Sequence, residues 1–315
     1  MERREWKVEG YFPPSEGLRT RDTVTVTFLS GPMASIRNEL REYGLFPRKR
    51  LGQHFLVDPN ILNKVIRTAQ VGKEDVVLEV GPGLGAMTLA LAREVKKVIA
   101  IEIDRKLAAI LKEKVIGHPN VEVVESDILR VDFKHFFQKE GRPIKVVANL
   151  PYQISTPLLF RFIESKEAFS AFTLMLQKEV AERMVAPPGN KEYGPLSIFV
   201  QMFLDVSIRF FIKPSAFSPP PKVESAVVHM AWKEKPMVQT DDEEWFKRVV
   251  KACFGYRRKT LSNALKHSEL SLPGFIETRM EKIGIDSRRR PETLTIEEFT
   301  KLAEALKPDN LTRKS

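Results

Sequence analysis

Asn149-Leu150-Pro151-Tyr152, which follows a strand-like VVA run, is the stretch of this chain best equipped to do chemistry. An amide, backbone carbonyls and an aromatic ring beside a nucleotide-type pocket suit a flat base with an amino group, not an alcohol or a carboxylic acid. The Asn149 side-chain oxygen and a backbone carbonyl of the NLPY turn can accept the two amino hydrogens. Pro151 stiffens the turn, and the Tyr152 ring can stack on the base. Phe217, in the conformationally restricted FSPPP segment, is a candidate ring for the other face, with core packing as its plain alternative.

An ordered set of glycines and carboxylates upstream predicts what that amine would meet. Val76 to Val80, with Glu79 inside it, is an apolar strand-like run that enters Gly81-Pro82-Gly83-Leu84-Gly85 and then the helix-forming MTLALARE. Strand, close glycines and helix read as the first βα unit of a doubly wound α/β sheet. Gly81 and Gly83 let the backbone approach a ligand with no Cβ in the way, while Pro82 restricts one torsion. A second strand-like run, Val98 to Ile103, places Glu102 21 residues after Gly81, where a carboxylate accepts from ribose hydroxyls; Ile103 beside it is a further cofactor contact. Asp127 ends the Val121 to Val124 strand and can accept from an adenine amino group while Ile128 packs on the ring; a helix cap is its plain alternative. Nicotinamide enzymes share the ribose carboxylate, but GPGLG lacks the third glycine of GxGxxG that admits a helix beneath a pyrophosphate. S-adenosylmethionine carries adenosine without pyrophosphate, and Gly81, Glu102, Asp127 and Asn149 together favour it. In-line transfer of its methyl to a nearby nitrogen requires no metal and no covalent intermediate.

Six blocks occur in one order: LGQHFLVDPNIL from Leu51, VLEVGPGLGAMT from Val77, AIEIDR from Ala100, ESDIL from Glu125, NLPY from Asn149 and FSPPPKVESAVV from Phe217. In these blocks the chain resembles the ribosomal RNA adenine N6,N6-dimethyltransferase family, related to erythromycin-resistance methyltransferases and mitochondrial transcription-factor B proteins. The likeness covers about residues 48 to 230 and extends through FGYRRKTLSNAL. It implies a Rossmann-like class I methyltransferase sheet with a small C-terminal helical domain. It also implies that Gln53, His54, Phe55 and Leu56 close over the cofactor, His54 as a contact without an acid-base role and with a polar loop residue as its plain alternative. Glu102 then takes the ribose and Asp127 the adenine. The implied substrate is a small-subunit ribosomal RNA loop in a pre-ribosomal particle, with two adjacent adenines each dimethylated in the cytoplasm. A DNA adenine methyltransferase and a non-catalytic RNA-binding or transcription-associated relative are the alternatives; retention of Glu102, Asp127, Asn149 and Tyr152 argues against the second.

Charge and composition agree with a polyanionic partner. The 315 residues are 43% hydrophobic, enough for a sizeable core, and carry a formal charge of +10. From Trp245 onward there are 16 Lys or Arg against 9 Asp or Glu. Lys178, Arg183, Lys222, Lys251, Arg257, Arg258, Lys259, Arg288, Arg289 and Arg290 are candidate phosphate contacts, each with a merely solvated surface as its alternative. A polar stretch around Lys233 to Glu244 predicts a boundary between a methyltransferase domain over 48–235 and a helical RNA-contacting domain over 240–315. Four helices are predicted there, in WFKRVVKACF, RKTLSNALKH, LPGFIETRMEKIG and TIEEFTKLAEALK, the last with a Thr295–Glu298 capping box. Residues 1–47 hold seven basic and seven acidic residues, a possible TVTVTFL strand and a short SIRNELREYG helix, and no secretory or membrane-spanning signal. They form an extension whose use the sequence does not rank. Cys253 is the single cysteine, so no intrachain disulfide forms, and the five histidines show no metal-ligand spacing. No dimer interface is evident, and a monomer is the expectation.

Overall fold

The computed structural model describes residues 38–44, 46–48, 51–235, 237, 242–256, 258–270 and 275–308. The TVTVTFL segment, Arg257 and residues 236 and 238–241 of the expected domain boundary lie outside the described residues. Seven strands form one mixed sheet: β2 (Val76–Val80), β3 (Lys97–Glu102), β4 (Val121–Glu125), β5 (Ile144–Asn149), β6 (Phe169–Gln177), β7 (Leu204–Ile212) and β9 (Ser225–Trp232), in the order β4-β3-β2-β5-β6-β9-β7. The first five run parallel, and β9 is antiparallel to both its neighbours. β2 is buried along its whole VVLEV length, as a central parallel strand covered on both faces must be. A two-stranded patch outside the sheet pairs β1 (Phe55–Leu56) with β8 (Phe217–Ser218).

Helices α1 (Pro59–Thr68), α2 (Ala86–Ala92), α3 (Arg105–Lys114), α4 (Phe133–Glu140), α5 (Ser155–Glu164), α6 (Lys178–Val185) and α7 (Pro195–Phe203) connect these strands. Local chemistry sets several of their starts. Asp58, Asp104 and Asp132 each cap the helix that follows with a carboxylate oxygen on its first free N–H groups. One apolar layer, including Leu78, Val146, Phe162 and Phe172, fills one face of the sheet, and a second, including Val77, Leu91, Val98 and Val227, fills the other.

The C-terminal helices are α8 (Glu243–Phe254), α9 (Leu261–Lys266), α10 (Ile276–Lys282) and α11 (Ile296–Ala305). They share a core with α7 and Tyr193, in which Trp245, Phe246, Phe299 and Leu302 are buried and the Cys253 thiol is fully enclosed. Trp245 Nε1 donates to the Ala303 carbonyl at 2.7 Å, tying the first of these helices to the last. The predicted capping box is present: Thr295 N donates to Glu298 Oε2 at 2.8 Å and Glu298 N to Thr295 Oγ1 at 3.2 Å. Two helices are shorter than their sequence patterns. α9 begins only after Thr260 in extended backbone, and α10 begins after Phe275, which sits at φ 60°.

A helical segment over residues 38–42 accounts for the SIRNELREYG expectation. Leu40 is buried with Leu84, Leu107 and Ile110, and Phe55 packs against them. Glu39 pairs with Lys114, whose ammonium also donates to the Leu84 carbonyl in the glycine turn at 2.8 Å. The end of the extension therefore packs on the wall behind the glycine turn.

Candidate active site

The parallel strands all end at one edge of the sheet, and the loops leaving β2, β3, β4 and β5 enclose a cavity of about 220 Å³ there. Ligands bind α/β sheets at this edge, where connections leave the strands in opposite directions. Gln53, His54, Leu56, Gly81, Gly83, Glu102, Ile103, Asp127, Ile128, Asn149, Leu150, Pro151 and Tyr152 all line it.

The glycine turn is shaped by close packing. Gly83 has φ +58°, and a Cβ there would lie 2.7 Å from the Phe55 ring. Its N–H donates to Glu102 Oε2 at 3.0 Å, and Asp104 N donates to Glu102 Oε1 at 2.9 Å. Glu102 is thereby fixed in rotamer. Burial, with the Asp104 charge adding to it, raises its carboxyl above the usual carboxylate range against the pull of these two donors. Asp104 in turn meets Arg48 at 3.3 Å and accepts from Gln53 Nε2 at 3.4 Å, while Gln53 Oε1 accepts from Arg48 N at 2.8 Å. Gln53 is thus engaged with protein partners at both ends of its amide. Asp127 combines its two expected positions: it lines the cavity, and its Oδ1 caps the short turn Ile128–Arg130 by accepting from Leu129 N at 2.9 Å.

Asn149 Nδ2 donates to the His54 carbonyl at 2.9 Å, which fixes the amide and leaves its oxygen as an acceptor. Leu150 N donates to the Met175 carbonyl at 3.1 Å, anchoring the turn to β6. The Pro151 carbonyl already accepts from Ile154 N at 3.1 Å and the Tyr152 carbonyl from Ser155 Oγ at 3.0 Å. The Leu150 carbonyl is the acceptor of this turn that they leave open. The Tyr152 hydroxyl meets Ser225 Oγ at 2.7 Å, and burial raises its phenol above the ordinary value.

Phe217 is a correction. Its side chain is 1% exposed, packs in the apolar layer with Ile212 and Val227, and does not line the cavity. Pairing of Leu56 with Phe217 in the β1–β8 patch turns that ring into the core, so the plain alternative of core packing describes it. The ring stacked on Tyr152 is His54, at 5.7 Å between centroids and 28° between planes. His54 Nδ1 is 2.7 Å from the Pro219 carbonyl and must donate to it. The FSPPP segment therefore contributes a backbone oxygen that steadies His54, in place of the expected aromatic face.

Sequence reasoning passed over three residues of this site. Glu79 was noticed without a role; it is 1% exposed, lines the cavity, and its Oε2 has no hydrogen-bond partner. A charged residue inside an otherwise apolar strand was its signal. Asp104 follows Glu102 in the sequence with no role assigned to it; it caps α3 and is also the hub that orders Gln53 and Arg48. Ser225, the partner of Tyr152, lies 73 residues away and carries no local signal.

The basic candidates separate into engaged and open groups. Lys178 is held by Glu224 at 2.9 Å. Arg288 pairs with Asp286 at 3.2 Å and Arg290 with Glu292 at 4.0 Å. Arg289 grips both oxygens of Glu298, at 2.5 and 3.0 Å, and donates to the Thr293 carbonyl at 2.7 Å. It is a clasp for the start of α11, which removes it from the set of free cations. Lys222, Lys251, Arg258 and Lys259 are exposed, and Arg183 and Lys251 line a second notch beside Tyr193.

The cavity can be tested for S-adenosylmethionine from its donor set alone. Its wall carries Glu79, Glu102 and Asp127 and no Lys or Arg among the described residues. That surface suits a cationic ligand with ribose hydroxyls and disfavours a pyrophosphate, which anion-binding turns or basic side chains would hold. The residues fit the cofactor. Among the described residues no group of His, Cys, Asp and Glu could hold a metal ion, and no helix is long and apolar enough to cross a membrane.

Comparison with known proteins agrees with this chemistry. A family model described as ribosomal RNA adenine dimethylase matches residues 46–307. Proteins named ribosomal RNA small subunit methyltransferase A from Bacillus mycoides (strain KBAB4) and Bacillus cereus (strain B4264) are each 42% identical over 273 residues, 85% of this chain and 94% of theirs. Among solved structures, a dimethyladenosine transferase from Plasmodium falciparum aligns with a TM-score of 0.67 and 32% identity, over 79% of this chain and 96% of its own. The 23S rRNA methyltransferase ErmE aligns with a TM-score of 0.59 and 26% identity, over 80% and 99%. The mixed seven-stranded sheet, the ordered motifs and the span of the family match lead to one assignment: this chain belongs to the ribosomal RNA adenine dimethylase family.

Proposed function

We propose that the chain transfers methyl groups from S-adenosylmethionine to N6 of adenines in a small-subunit ribosomal RNA loop, acting as a monomer on a pre-ribosomal particle in the cytoplasm. The observation that carries this reading is the Asn149 oxygen and the open Leu150 carbonyl set into the same cavity as a carboxylate wall without cations. Family membership and relatives named for ribosomal RNA methylation favour RNA over DNA, and the DNA and non-catalytic alternatives find no support in the site.

When bound, the cofactor supplies an electrophilic methyl group on a sulfonium. The rest is positioning by the chain. Glu102 is the ribose acceptor; Asp127 and Ile128 are the adenine contacts. Asn149 Oδ1 and the Leu150 carbonyl accept the two hydrogens of the target N6, so that its lone pair, otherwise drawn into the ring, is directed out of the base plane. Tyr152 gives the flipped base a face to stack on, held in orientation by Ser225. After one transfer a single N6 hydrogen remains, and one of the two acceptors suffices to hold it. Two adjacent adenines, each dimethylated, are the proposed products. Residues 48–235 perform this chemistry and 240–315 widen the RNA footprint, with Arg258, Lys259, Lys251, Lys222 and Arg183 as phosphate contacts.

Incubating the protein and labelled S-adenosylmethionine with undermethylated small ribosomal subunits, followed by nucleoside mass spectrometry, tests the proposal. N6,N6-dimethyladenosine in the small-subunit RNA is the expected product. Binding to the particles without methyl transfer would overturn it.

A further inference from the structure

The edge strand β7 ends beside the active site on an aromatic ring that the core leaves out. β7 is the last strand of the sheet and pairs only with β9. Two antiparallel pairings bring its direction back to that of β5 and β6, so its C-terminal residues lie at the edge onto which the cavity opens. There Arg209-Phe210-Phe211-Ile212-Lys213 interleaves cations with rings. The pairing with β9 shifts register between Ile208 and Phe210, and the extra residue, Arg209, reverses the alternation. Phe210, opposite Val227, turns into the second apolar layer, while Phe211, opposite Ala226, turns to the face that carries α6. Bulges re-aim side chains in this way at sheet edges and beside active sites. Phe211 is 48% exposed, and Lys178 Nζ, held by Glu224, sits 5.1 Å from its ring centroid.

A lone exposed apolar side chain is ordinary; the surroundings set this one apart. Leu176, Ala226 and Phe211 pair in a row one residue beyond Asn149 and Met175, which puts the ring three strand spacings, about 14 Å, from the NLPY turn. Between them Ser225, paired with Ile212 of β7, holds the Tyr152 hydroxyl. Arg209, Lys213 and Lys222 at this end of the sheet are exposed and make no ion pair among the described residues. We propose that Phe211 is a stacking platform for an unpaired RNA base that flanks the target adenine, with Arg209, Lys213 and Lys222 on the phosphates of the same strand. This rests on the ribosomal RNA reading above. Every base has a π-face, so the platform adds affinity without reading sequence. Tyr152 receives the adenine that reacts, and Phe211 holds the strand that leads to it. Phosphates satisfy the three cations, whereas an apolar protein partner would bury them unpaired, and this charge match makes RNA the occupant. Lys178 becomes a prop for the ring, held in place by Glu224.

Methylation kinetics on undermethylated small ribosomal subunits test the platform. Phe211→Ala and Phe211→Leu should each raise KM for the particles about tenfold, the effect of one lost base–aromatic stack, with kcat nearly unchanged. Phe211→Trp should bind at least as well as the wild type. The slope of log K against log salt should not differ between Phe211→Ala and the wild type, because no phosphate contact is removed. A benzophenone side chain introduced at position 211 and photoactivated on the particles should cross-link to the small-subunit RNA near the methylated adenines. A wild-type KM in Phe211→Ala would overturn the inference and leave the methyl-transfer reading intact. So would a wild-type KM in Phe211→Leu, which keeps apolar bulk without a π-face. A cross-link to a ribosomal protein or to a second copy of this chain, or no cross-link, would overturn it as well. Absence of methyl transfer by the wild type would instead remove the function proposed above. If Phe211→Ala does not fold, Phe211→Leu, Phe211→Trp and the cross-link still decide.

Discussion

At the scale of single residues, the site depends on a few atoms whose freedom has been removed. Asn149 has one end of its amide tied to the His54 carbonyl, which fixes the orientation of its oxygen as an acceptor. Asn149→Ala should lower kcat about 100-fold, the order of loss typical when a reacting group is misplaced, with little change in affinity for the RNA particle; steady-state kinetics and a binding assay separate the two. Tyr152→Phe loses the Ser225 hydrogen bond, worth about 1 kcal/mol, and should remain active, whereas Tyr152→Ala removes the stacking face and should not. Measuring turnover of both variants distinguishes ring from hydroxyl. The NLPY turn, Glu102 and Asp127 were legible in the sequence because each sits at a strand end, where local pattern and chemistry coincide. Phe217 was misread because its direction is set by pairing with Leu56, 161 positions earlier, and no local pattern reports that register.

At the scale of elements, two short contacts have effects beyond their length. Leu40 plugs a small apolar cluster behind the glycine turn, and Glu39 and Arg48 hold the same segment to Lys114 and Asp104. Leu40→Ala should cost about 2 kcal/mol, at the low end for a buried leucine because the cluster is small, and thermal unfolding reads it. Thr295→Ala should cost about 1 kcal/mol through loss of the α11 cap. Arg289→Ala, which frees Glu298 and the Thr293 carbonyl, should likewise appear as lost stability; an unchanged melting temperature with weakened RNA binding would return Arg289 to the phosphate contacts. The capping box was readable because it spans four consecutive positions. The start of α10 was not, since Phe275 adopts a left-handed backbone that apolar spacing does not encode.

At the scale of the whole molecule, the formal charge of +10 overstates what RNA can use. Internal carboxylates already hold Lys178, Arg288, Arg289 and Arg290. The candidate cations without an ion pair among the described residues, Arg258 and Lys259 at the α8–α9 turn and Lys251 and Lys222, should govern salt dependence. Replacing Arg258 or Lys259 by Ala should reduce the slope of log K against log salt by about 1 each, and Arg288→Ala by much less; a salt titration of RNA binding compares them. The sequence showed where positive charge accumulates, but not which cations are neutralised, because partners such as Glu224 and Lys178 lie 46 positions apart.

The enclosure of the single thiol offers a way to watch one half of the molecule without labels. Cys253 has no exposed surface in the helical core, and burial pushes its thiol far above the ordinary value, so a disulfide reagent can react only when those helices part. The rate of thiol modification is therefore a native clock for the breathing of the helical half; under the proposed function, docking on ribosomal RNA should slow it, and cofactor alone should leave it running at its own pace.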